Sequence, residues 1–563
     1  MRRLRGRGLI IALSAVALVV AACSSSSKKA GSTPTTTGGA VKQGGDVTFS
    51  AEQEPDCMDW IGSCSGAAWG VYTVETNTMP RAYDYGAGDS GYKPSNLLTG
   101  PATVQTSPQQ VITYHINPKA VWNDGQPITS TDFKYTWDQI AGPNAKDIYD
   151  PTGYNLITSV NDSDPHTAVV TFKTPYPDWQ FLFGGFYGIL PSHLLQGQDR
   201  DAMMKAGYTF SGGPWEMPAG AWVKGQSVKL VPNPMYWGTR PNFSTVTFDF
   251  ITDTATEQQD FKSGQVEAIY PQAQPGQEVL KGQPGTYFDA ISGLSYEGLW
   301  FNVAKAPLTD QAVREALGYA TDRAAIVNQL FAPIQPGIKP INSWYTPAFG
   351  AAYSEAYAKY QPDLKMVSTL MTGDGWTKGS DGIWAKNGQK AALELKTTTG
   401  NKRRQLTSQI IQTEWQQAGF QLTVTPEKAS VLFGQDGPTG NFQVALYAQT
   451  PTDNDLSQCN LWCTKNIPGP SNGNAGINWY RISDPTLDKV WGDADVNLDQ
   501  GARVNDAHQG QAQLATLAVG FPIDPFPDIV VVNTDKIGVA GGGTFQHNFA
   551  YGPFTYMNTW YAK

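Results

Sequence analysis

Residues 298–331 read GLWFNVAKAPLTDQAVREALGYATDRAAIVNQLF, a stretch that restricts the fold more tightly than length or composition does. Leu299, Phe301 and Val303 alternate with Trp300 and Asn302, which predicts a half-buried strand. Pro307 ends that strand. Thr309 or Asp310 then caps a helix whose apolar residues Val313, Ala316, Leu317 and Ala320 fall at i, i+3, i+4 and i+7. Thr321 or Asp322 caps a second helix carrying Ile326, Val327 and Leu330.

The beginning of the chain fixes the compartment. Arg2, Arg3, Arg5 and Arg7 precede an apolar run, Leu9–Val20, too short to span a bilayer comfortably. Val20-Ala21-Ala22-Cys23 follows, small residues ending in cysteine, so 1–22 reads as a signal peptide. The pattern resembles a bacterial lipoprotein lipobox, which implies an acylated Cys23 anchoring the protein to the cell membrane on its outer side. An ordinary secretory leader with Cys23 incidental is the alternative. Residues 23–43 are a Ser/Thr/Gly-rich linker that cannot bury enough apolar surface to fold, with a coil dimension of roughly 25 Å.

Four further cysteines form two close pairs, Cys57 with Cys64 and Cys459 with Cys463. Outside the cytoplasm that arrangement argues for two short disulfide loops. Cross-pairing stays open, because four cysteines allow three connectivities. A zinc site would need two close CxxC knuckles, which this spacing lacks.

With 563 residues the chain can hold two to four domains. The 49 acidic and 40 basic residues leave a net charge of −9 without a basic block, which argues against a nucleic-acid partner. The 17 Trp, 25 Tyr and 23 Phe are compatible with a wide cleft lined by flat rings, although large cores would account for most of them. HExxH and Walker A are missing from the sequence, and its five histidines are scattered. Neither an enzyme nor a cofactor is expected.

FNVAKAPLTDQAVREALGYATDR closely resembles the "FN…P(F/L)xDxxVRxALxxAxDR" run of family 5 extracellular solute-binding proteins. Arg314, Ala316, Leu317, Ala320, Asp322 and Arg323 match it, the charges reading as fold-holding groups. Tyr114–Phe133 is similar to that family's "YTFxLrxxVkWxDGxPxTAxDV", with Trp122, Asp124, Gly125 and Asp132 in register and Ser130 or Thr131 as helix cap. The runs 233–238 (NPMYWG), 376–388 (WTKGSDGIWAKNG) and 478–480 (NWY) continue the resemblance to the end of the chain. Strands over 391–397 and 420–424 flank a helix over 402–418 closed by Gly419, and 442–447 adds another strand.

The resemblance implies an α/β, bilobal, periplasmic-binding-protein-like fold with a hinge and an extra subdomain in the first lobe. Lobe 1 would comprise 44–95, the extra subdomain 96–199, 200–298 and the return 525–563. Lobe 2 would comprise 299–524, with hinge crossings near 298–303 and 520–527. It further implies an ABC-importer receptor that captures short peptides or peptide-like solutes by lobe closure. Such a receptor is a monomer that docks on permease subunits. An oligosaccharide receptor of the same family, or a surface sensor or chaperone-like lipoprotein without transport, are the alternatives. Peptide-binding members place an Asp shortly after a "gW" strand end for the ligand amine. Here Gln449 and Thr452 occupy those positions, so the anchor is either shifted to Asp453 or absent. Lys396 lies near the family's carboxylate-binding Arg; Tyr447, Trp462, Trp479 and Asn302 complete the candidate ligand set.

Overall fold

The computed structural model describes residues 41–62, 64, 68–87, 91–185, 187–451, 456–470 and 476–563. The leader, Cys23 and Asp453 lie outside the described residues. Among these residues the largest sheet has 11 strands. At its centre two long strands, Thr286–Phe301 and Gly520–Asn533, run antiparallel. On one side Gly520–Asn533 pairs with Ala268–Ile269, which leads to the parallel pair Asp46–Ala51 and Thr245–Phe250. On the other, Thr286–Phe301 pairs with Val444–Gln449, followed by the parallel strands Ala392–Thr398 and Gln421–Glu427. The two central strands therefore join two α/β halves.

Their ladder is irregular where the halves meet. Register shifts fall between Ser292 and Tyr296 and between Glu297 and Gly298. Opposite them stand Pro527, Pro525 and Pro522, which have no N–H to donate and so interrupt the pairing. The strand predicted near 298–303 is thus the end of a 16-residue strand. Its expected half-burial is corrected: Leu299, Trp300, Phe301 and Asn302 are all fully buried. A central strand covered on both faces has no solvent side.

The central stretch folds as its pattern predicts. Asp310 caps helix Gln311–Ala320 by accepting from Ala312 N, and Asp322 caps Arg323–Leu330 by accepting from Ala325 N. Arg314 donates to the carbonyls of Leu308 and Leu517, and Arg323 to those of Ile341, Pro522, Tyr357 and Tyr360. Both arginines tie loops and strand ends to the helix pair. Asp322→Ala, which removes the 2.8 Å cap bond, is expected to cost about 1 kcal/mol in urea unfolding.

A separate four-stranded antiparallel sheet, built from Thr103–Gln105, Val111–His115, Thr167–Phe172 and Ile157–Asp164, packs with helix Ser130–Ile140. The helix cap is Thr129, in a capping box with Asp132, one residue before the predicted Ser130 or Thr131. Asp132 also accepts from Ser192 N at 2.8 Å and Ser192 Oγ at 2.6 Å, which secures the following segment. Helix Lys402–Ala418 has the predicted bounds and ends at Gly419, whose φ of +99° suits glycine.

Candidate functional site

The junction between the two halves concentrates buried charge. Asn401 caps helix Lys402–Ala418, and Arg403 and Arg404 occupy its first turn. Both point to Glu297 on the central strand: Arg404 Nε donates to Oε1 at 2.8 Å, and Arg403 Nη1 bonds Oε2. Glu297 is 1% exposed, and the two guanidiniums hold its carboxyl below the ordinary range despite burial. Asp524, on the partner strand, is pushed up to about 8 by burial, with Glu297 adding repulsion. Arg403 lies 4.7 Å over the Phe526 ring. Its Nε and Nη2, and Asp524 Oδ1, have no hydrogen-bond partner among the described residues.

The other half contributes a second polar group. Glu52 follows strand Asp46–Ala51, accepts from Thr254 Oγ1 at 3.0 Å, and is pushed up to about 7 by burial. Asp528 accepts from Tyr270 Oη at 2.9 Å and is also pushed up to about 7 by burial. Tyr270 packs at a tilt on Trp69 and edge-on with Tyr72, centroids 5.7 and 5.8 Å away, forming an aromatic wall beside Asp528. Asn401 Nδ2 donates to Gln272 Oε1 at 2.9 Å, which links the halves directly. Away from the paired central strands, Arg503 on helix Gln500–Leu517 forms a two-pronged ion pair with Asp178 next to the small sheet domain.

Carboxyls raised by burial carry a defined pH dependence. Folded Asp524, Asp528 and Glu52 hold protons that the unfolded chain releases near pH 4, so stability from these groups is full below about pH 4. It declines as pH rises through about 7 to 8. Thermal unfolding between pH 5 and 8.5 should therefore show a falling midpoint, and Asp524→Asn should flatten that slope. An unchanged slope in the variant would contradict the assignment.

The sequence-predicted candidates fall largely on one part of the second half. Lys396 is buried, its ammonium bonded to Asp436 and 3.7 Å from Glu427, so these carboxylates occupy the cation that was matched to a ligand carboxylate. Tyr447 Oη lies 2.7 Å from Tyr480 Oη, and its ring stacks on Trp300 at 5.1 Å. Trp462 is fully buried, 5.8 Å from Trp300 and 4.7 Å from Tyr480, with Nε1 donating to Gln458. That is the setting of a core ring rather than a cleft wall. Trp479 is half-buried against Phe433 and Gly437, and its Nε1 has no partner among the described residues. Gln449 is half-buried opposite Tyr296 in the sheet. Asn302 is spent on structure, donating to Gly440 O at 3.0 Å and accepting from Ala304 N. The structure joins Cys57 to Cys64 and Cys459 to Cys463, with Cα separations of 5.9 and 4.7 Å.

Sequence reasoning missed Arg403, Glu297, Glu52 and Asp528. One signal was present. Lys402, Arg403 and Arg404 fill the first turn of a helix, where the dipole disfavours cations, so a buried acceptor had to face them.

The description "Bacterial extracellular solute-binding proteins, family 5 Middle" matches residues 97–466. The oligopeptide-binding protein OppA of Mycobacterium tuberculosis is 25% identical over 500 residues, covering 88% of this chain and 82% of its own length. Among solved structures, the periplasmic EDTA-binding protein EppA superposes with a TM-score of 0.81 at 20% identity, covering 94% of this chain and 98% of its own. AppA of Bacillus subtilis, in complex with a nonapeptide, gives a TM-score of 0.78 at 19% identity, covering 93% and 100%. Together with the two α/β halves joined through paired central strands, the match over 97–466 leads to one conclusion: the chain belongs to the bacterial extracellular solute-binding proteins of family 5.

Proposed function

We propose that this protein captures short peptides outside the cell membrane and delivers them to the permease subunits of an ABC importer. The observation that carries this reading is the similarity to an oligopeptide-binding protein over 500 residues, which spans both halves of the sheet. Acylated Cys23 anchors the protein, and residues 24–43 act as its tether. Lobe 1, with its extra subdomain over 96–199, and lobe 2, over 299–524, close on the ligand as a monomer. The hinge is the proline-interrupted ladder at 292–298 and 522–527, where few backbone bonds resist bending. Ligand binding favours the closed form, which the permease recognises.

Asp453 takes the peptide amine in this reading. The junction supplies the carboxylate partner: Arg403 has two donors without a hydrogen-bond partner among the described residues, whereas Lys396 is held by Asp436 and Glu427. Isothermal titration with a panel of tri- to pentapeptides tests this. Asp453→Ala should weaken peptide binding by about 10- to 100-fold, the loss of one charge-assisted bond. Unchanged affinity in the variant would remove Asp453 as the anchor, and wild-type protein that binds none of the panel would overturn the peptide reading.

A further inference from the structure

Glu52 stands where the two halves of the sheet touch. It follows strand Asp46–Ala51 in the first half, is 8% exposed, and accepts from Thr254 Oγ1 at 3.0 Å. Gln272 faces the same carboxyl, and its Oε1 accepts from Asn401 Nδ2 of the second half at 2.9 Å. Asn401 caps helix Lys402–Ala418. A line of polar contacts therefore runs from Glu52 across the junction to the helix that carries Arg403 and Arg404.

The charges along this line do not balance. Three elements bring titratable groups to Glu52: Glu257 from helix Thr254–Ser263, Arg403 from helix Lys402–Ala418, and Tyr270 from the segment after strand Ala268–Ile269. Glu257 is fully buried and repels an ionised Glu52. Tyr270 is neutral, its hydroxyl donating to Asp528. Arg403 attracts Glu52, but that guanidinium is bonded to Glu297 and shared with Asp524. With the halves in contact, Glu52 thus has a carboxyl on one side and a shared cation on the other, away from bulk water. Desolvation outweighs the attraction, and its carboxyl is pushed up to about 7.

Separating the halves at the proline-interrupted ladder reverses this balance. Asn401 and Arg403 move away with their helix, water reaches Glu52, and the carboxyl returns toward its ordinary value of about 4.3. Closing then takes up a proton. The closed form has its full proton-linked advantage below about pH 4.3, and that advantage is lost as pH rises through about 7.

We propose that closure of the two halves is proton-linked through Glu52, so that the protein holds its solute more tightly in acidic surroundings and loosens its hold as pH rises. This rests on the lobe closure put forward above. Pulsed dipolar spectroscopy without added solute tests it, with spin labels at Lys229→Cys and Gln417→Cys, exposed positions on opposite halves. From pH 5 to 8 the closed population should fall, the ratio of closed to open changing by at most about tenfold per pH unit, the limit for one proton. Glu52→Gln, which keeps the shape and cannot ionise, should remove most of that response. Thr254→Val removes the hydroxyl that favours the ionised carboxyl and should move the midpoint to higher pH, which decides the matter if Glu52→Gln fails to fold. Distances independent of pH in the wild type would overturn the linkage. So would an undiminished response in Glu52→Gln or an unmoved midpoint in Thr254→Val. A protein that binds no peptide yet shows the response would refute the peptide reading and leave the proton linkage standing.

Discussion

Arg403→Met should destabilise the protein by about 3–5 kcal/mol, the scale for removing one partner from a buried ion pair. Arg403 is 1% exposed and faces Glu297, also 1% exposed, with Asp524 close by. Without it, Glu297 keeps only Arg404, and two buried carboxyls face each other with one cation fewer. Urea unfolding at pH 8 should show a large fall in midpoint at unchanged slope. The loss should be smaller at pH 5.5, where Asp524 is protonated in either protein. Asp524→Asn in the Arg403→Met background should recover part of the stability. A loss of less than 1 kcal/mol at pH 8 would mean that the cluster is not held together by this charge.

Arg503→Ala should lower both global stability and ligand retention. Its guanidinium donates to both oxygens of Asp178, and the pair joins residues 325 positions apart, on the helix Gln500–Leu517 and beside the small sheet domain. Under the proposed closure of the two lobes, Asp178 and Arg503 belong to different lobes, and their contact would latch the closed form. Charge-assisted bonds of this kind contribute about 1.5–3 kcal/mol, so the open form should gain and apparent affinity should fall about 10- to 100-fold. Small-angle scattering with saturating ligand should show a wider distribution of dimensions in the variant. Because Arg503 and Asp178 touch further groups, single variants do not isolate the pair. The double-mutant cycle with Asp178→Ala does, and a coupling near zero would deny the latch.

Much of the fold was legible because its signals are local. Helix Gln311–Ala320 follows from four apolar residues on one face and an Asp at the cap. Helix Lys402–Ala418 follows from its inner apolar residues and a terminal Gly. The site was less legible because it is assembled from distant segments. Glu297 and Arg403 meet, with Glu52 in the field of Arg403, only after two strands of 16 and 14 residues have crossed between the halves. Pairing Glu297 with Arg403 requires knowing that strand's neighbours, which no short window contains. Trp462, placed in the candidate ligand set from sequence, lies fully buried against Trp300, Trp344 and Tyr480, contacts that come from distant segments. The prolines at 522, 525 and 527 were visible, and only their register against 292–298 gave them meaning.

Native mass spectrometry of the protein, purified gently and without refolding, tests the proposed capture of peptides. Bound species with a spread of masses that fragment into short peptides are expected. A single discrete non-peptide mass would contradict it.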